Sequence, residues 1–96
     1  MKVSAHKSAI STGLLFTLTN GLGVSMLDKE HPDGTREFAI LDQEGELLRL
    51  GDDTIAFATR DQILALIEVM EARPLVEARQ AARAVVAFLE TLAAPE

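Results

Sequence analysis

Asp52 and Asp53 are the carboxylates of this chain best suited by type to acid–base work, because cleaving a glycosidic bond or holding a metal needs two acids converging in a cleft. Their spacing argues for something simpler. Successive side chains of an extended segment point apart, and two acids directly after Gly51 suit a turn between strands. The run Asp42-Gln43-Glu44-Gly45-Glu46 shares composition with a calcium loop but lacks its ligand spacing and closing bidentate glutamate. No metal site is expected.

Nucleophilic chemistry finds no better footing. The chain has no Cys, and Ser4, Ser8, Ser11 and Ser25 sit in the N-terminal segment or a strand-like run, none inside a Gly-x-Ser-x-Gly elbow. His6 falls in the same N-terminal segment and His31 beside Pro32, where a solvent-facing turn residue is expected. Gly21-x-Gly23 lacks the third glycine and following helix of a dinucleotide fingerprint, and no Gly-Lys-Ser/Thr phosphate loop is present. Neither a catalytic residue nor a cofactor site is therefore expected, and the chain is not read as an enzyme.

Arg73, Arg79 and Arg83 make the one basic cluster, with Arg79 and Arg83 on a shared helix face beside Glu77. A solvated face is the reading. The chain has no Trp or Tyr and only four Phe, so the side chains that stack on exposed bases are scarce and nucleic acid is not the expected ligand.

Charge is more informative for where it lies than for its total of −6. Residues 1–27 carry Lys2 and Lys7 without an acid, whereas residues 28–53 carry nine acids against Lys29, Arg36 and Arg49. The middle of the chain thus holds the negative potential. Asp42, Glu44, Glu46, Asp52 and Asp53 gather on expected turns, where they aid solubility, repel phosphate backbones and offer a candidate acidic face to a basic protein partner.

Positioning these residues falls to two kinds of element. Residues 8–27 have no charge, yet Gly13, Thr17, Thr19, Asn20, Gly21 and Gly23 interrupt them too often for a secretory core or a membrane span. They read as a hairpin instead: 14–19 and 22–27 flank Asn20-Gly21, the strongest short hairpin signal. His31-Pro32-Asp33-Gly34 predicts a second reversal, residues 35–41 and 46–50 a second hairpin, and 54–58 a fifth strand with Ile55 and Phe57 on one face.

At Thr59 the period changes from two to 3.6, with a capping box to Gln62 and Asp61 in the first turn. Ile63, Leu66, Ile67 and Met70 form one apolar stripe, and Pro74 separates this helix from a second over 75–93. In the second, Leu75, Ala78, Ala82, Val85, Leu89 and Leu92 fall at three- and four-residue steps, a seam for another helix in the same chain or for a homodimer.

The sequence therefore predicts an α+β single domain over 1–96: a loose N-terminal tail at 1–11, an antiparallel β-meander of about five short strands at 12–58, and helices at 59–73 and 74–93 packed on one face. Ninety-six residues without cysteine hold one modest core by packing alone, which suits the reducing cytoplasm. The function expected is that of a non-catalytic interaction or regulatory protein, comparable in size and acidity to the accessory inhibitors and antitoxins of phages and mobile elements. The alternative is a small-molecule module or small enzyme with a pocket between sheet and first helix, lined by Phe16, Phe38, Phe57 and Met70.

Overall fold

A computed structural model describes residues 1–7, 12–51 and 53–93. Five strands, β1 (Lys2–Lys7), β2 (Thr12–Thr17), β3 (Gly23–Glu30), β4 (Thr35–Leu41) and β5 (Ile55–Thr59), lie side by side in chain order as one antiparallel sheet. Helices α1 (Arg60–Glu71) and α2 (Leu75–Ala93) follow. The α+β meander with two C-terminal helices is the fold class that the sequence predicts.

Membership of the strands differs in two places. Lys2–Lys7, expected as part of a loose tail, pairs with β2 from Lys2 opposite Thr17 to Lys7 opposite Thr12 and forms the first edge of the sheet. An edge strand tolerates charge, so its lysines disguise it as tail. Residues 46–50, expected as a strand, contribute only isolated bridges, Leu41 to Leu47 and Leu50 to Asp53. The alternation there is real, since Leu48 and Leu50 are buried while Leu47 and Arg49 are exposed. What is missing is a ladder: the Leu48 amide donates to the Ile40 carbonyl at 2.7 Å, after which the chain leaves β4 and returns at Ile55.

Pairing places Phe16, Val24 and Ile40 in one cross-strand row and Leu14, Met26, Phe38 and Ala56 in the next, all turned towards the helices. Ile63, Leu66, Ile67 and Met70 of α1 and Ala78, Ala82 and Val86 of α2 close over them. Residue Thr59 is the last of β5 and also the N-cap of α1, its hydroxyl accepting from the Gln62 amide while the Gln62 side chain accepts from the Thr59 amide. With no loop between strand and helix, α1 starts close to β5, and only Ala56 and Ala58 face it. Ile55 and Phe57 share a face, as expected, but it is the face turned away from the core.

Candidate functional site

The acidic turns divide into structural and free carboxylates. Asp42 is half-buried, and its Oδ1 accepts from the amides of Glu44 and Glu46, each at 3.0 Å, while its carbonyl accepts from Gly45. This Asx-type arrangement turns the chain and uses up one carboxylate oxygen. Glu44, Glu46 and Asp53 are exposed on the same β4–β5 connection; Asp52 lies outside the described residues. Among the described residues, no three His, Cys, Asp or Glu side chains converge as metal ligands.

His31 is not the fully exposed turn residue that its neighbours suggest. Its ring meets Phe57 edge-on, with centroids 5.5 Å apart and planes at 69°. The turn is held by the His31 amide on the Thr35 carbonyl at 2.7 Å and by the Gly34 amide on the His31 carbonyl at 2.9 Å, with Gly34 at φ +87°. Asp33 completes it, accepting from the Thr35 hydroxyl at 2.6 Å and amide at 3.0 Å. These two bonds, the hydroxyl's foremost, stabilise the charged carboxylate and lower its pKa.

The three arginines do not assemble a basic face. Arg73 Nη1 donates to the Val69 carbonyl at 2.7 Å, so it finishes the helix that precedes it. Arg83 Nε donates to the Arg49 carbonyl at 3.2 Å and pins the 46–51 segment to α2. Arg79 turns inward far enough that its Nε is buried without a hydrogen-bond partner.

The apolar seam of α2 is mostly consumed within the chain. Ala78 and Ala82 are buried, and Leu75, Val85 and Leu89 are half-buried against the common core. Leu92 alone of the six is exposed. The four residues expected around a pocket separate likewise: Phe16, Phe38 and Met70 are core, whereas Phe57 is 53% exposed on the other side of β5.

What sequence reading missed is the apolar surface that the helices leave uncovered. Across the sheet face opposite them, Leu15, Ser25, Ala39 and Ile55 form one cross-strand row, with Leu27 and Leu41 in flanking rows and Phe57 at the edge. Leu15, Leu27, Ala39 and Leu41 are half-exposed, and Ile55, Phe57 and Leu47 are exposed. Five neutral residues in β5 carried the signal, because an edge strand facing water on one side normally alternates apolar with polar. Beside this edge, Val86, Leu89 and Glu90 of α2 line a cleft of about 200 Å³ with Asp53, Ile55 and Phe57.

No helix among the described residues is long and apolar enough to cross a membrane. No known family model, curated protein or solved structure matches the chain.

Proposed function

We propose that this is a non-catalytic interaction protein that acts by presenting its surface to another protein in the cytoplasm. The observation that supports this reading best is the uncovered sheet face: contiguous apolar side chains rimmed by polar ones are the usual mark of a contact surface. The exposed Glu44, Glu46 and Asp53 on the neighbouring connection favour a partner with a basic rim. Asp42 contributes less to this contact than its neighbours, because one oxygen of its half-buried carboxylate is engaged in the turn.

The test is affinity capture from the producing cells with three baits: the wild type, a Glu44→Lys/Glu46→Lys/Asp53→Lys variant, and a Leu27→Glu variant on the open face. The expected result is a protein held by the wild type, released between about 50 and 500 mM salt, and lost by both variants. Turnover of a metabolite by the purified wild type, abolished by one substitution, would replace this reading with an enzymatic one.

A further inference from the structure

Asn20 is the only asparagine of the chain, and Gly21 follows it. That dipeptide carries a chemistry of its own besides the turn. The backbone nitrogen of the glycine, with no Cβ on its own residue to hinder the approach, can attack Cγ of the asparagine side chain. The Cγ–Nδ2 bond breaks, ammonia leaves with the proton given up by the glycine nitrogen, and a five-membered succinimide closes. Solvent water then opens the ring at either carbonyl to leave aspartate or isoaspartate, so that one water is consumed and one ammonia released. In the folded chain both reacting groups are occupied. The Gly21 amide, the nucleophile, donates to the Leu18 carbonyl at 3.1 Å. Nδ2 of the half-buried Asn20, the leaving group, donates to the carbonyls of Met70 and Arg73, while Oδ1 accepts from the Leu22 amide. Thr19, one residue earlier, is held by Glu71 through its amide and its hydroxyl. Closing the succinimide requires the side chain to leave α1 and swing onto the Gly21 nitrogen, which breaks these bonds together.

We propose that Asn20 is a self-modification site which the fold holds closed: the clamp between the β2–β3 turn and α1 suppresses succinimide formation in the native state, and a chain that lingers unfolded is marked irreversibly at this position. The mark is damaging because its product cannot rebuild the clamp. An ionised carboxylate has no donor for the carbonyls of Met70 and Arg73, and it adds a negative charge to a turn that already accepts the Glu71 carboxylate. Isoaspartate in addition routes the main chain through Cγ, one atom longer, inside a turn closed by the Leu18 amide on the Leu22 carbonyl at 2.8 Å. Ordinary unfolding is undone by refolding, whereas chemical change in the unfolded state is not. Each excursion of the turn away from α1 therefore carries a risk of permanent loss of stability. This inference is independent of the surface reading above, since it holds whether or not the protein recruits a partner.

The test uses the full chain, incubated at mildly alkaline pH in native buffer and in unfolding urea. Ion exchange separates the product by its added negative charge, and peptide mass spectrometry reads the exchange of amide for acid; with a single asparagine the site is unambiguous. Conversion of the wild type should be at least about tenfold slower in native buffer than in urea, because the turn must first open against several hydrogen bonds. Glu71→Ala releases Thr19 from a position remote in sequence, so it should convert faster than the wild type in native buffer and at the same rate in urea. Circular dichroism confirms that this variant is folded, and the comparison of native and unfolded wild type decides without it. Converted wild type, returned to native buffer, should unfold at a lower urea concentration than unconverted protein. Native conversion as fast as that in urea overturns the proposal. So does a folded Glu71→Ala that converts no faster than the wild type, or converted protein whose urea midpoint is unchanged.

Discussion

The side-chain amide of Asn20 donates to the carbonyl oxygen of Arg73 at 2.9 Å, fastening the β2–β3 turn to the end of α1. The same Nδ2 donates to the Met70 carbonyl at 2.9 Å, and Oδ1 accepts from the Leu22 amide at 3.1 Å. A residue suited to a hairpin thus also clamps the chain that leaves α1, adding a second donor to the Met70 carbonyl, which the Arg73 amide already reaches at 3.2 Å. Asn20→Ala is expected to destabilise the fold by about 1–3 kcal/mol, the cost of these bonds at a half-buried site. Asn20→Asp should be worse at neutral pH than at acid pH, since it sets a carboxylate against two carbonyls. Urea midpoints read both, and an unchanged midpoint for Asn20→Ala would show that water replaces the amide.

Next to this contact, Glu71 accepts from the amide of Thr19 at 3.1 Å and from its hydroxyl. The hydroxyl bond is the main reason that its pKa falls below the ordinary 4.5. A carboxyl with a depressed folded-state pKa contributes stability that is present above its unfolded value and lost as pH falls through the folded one. The wild type should therefore lose urea resistance as pH falls below the ordinary 4.5 more steeply than Glu71→Gln, and the two should converge once the pH lies below the lowered folded-state pKa. Asp33, lowered in the same direction by Thr35, adds to the acid sensitivity that remains in the variant.

Gly13 sits where β3 loses its regular pairing with β4, between Met26 and Glu30. A Cβ at this position would run into the Met26 carbonyl oxygen and come within 3.0 Å of Leu27 Cα, both backbone atoms that cannot rotate aside. Gly13→Ala should cost about 1–3 kcal/mol by overpacking, despite the better strand propensity of alanine. Thermal unfolding checks this. A midpoint at or above that of the wild type would mean that β3 moves away freely.

Thr59 joins β5 to α1 through its capping box. Thr59→Ala is expected to cost about 1 kcal/mol and Thr59→Ser much less, because serine keeps the oxygen that accepts from Gln62. Amide exchange at Gln62 should accelerate in the alanine variant and not in the serine one. Equal behaviour of the two would assign the effect to the lost methyl group instead.

Much of this fold is legible where local chemistry decides it. Asn20-Gly21 does reverse the chain, with Gly21 at φ +96°; Thr59 and Gln62 do form their box; and Ile63, Leu66, Ile67 and Met70 are all buried. Failures occur where a distant neighbour decides. Lys2–Lys7 is a strand only because β2 lies beside it, and 46–50 is not one because Leu48 and Leu50 are drawn into the core. Ile55 and Phe57 look like core residues by size, but the close start of α1 leaves room only for Ala56 and Ala58. The candidate surface was hidden for that reason: which side of a strand is covered depends on the path of the helix, not on the strand.

Because the strands lie in the sheet in the order they occur in the chain, each can pair as soon as the next is made. The layer that shields them is made last. Ribosomes add about 5–20 residues per second, so Val24, Phe38 and Ile40 emerge seconds before α1 and α2 can cover them. The growing polypeptide consequently passes through a stage with both sides of its sheet wet, and a chaperone that shelters greasy surfaces would have its greatest effect on yield in that interval.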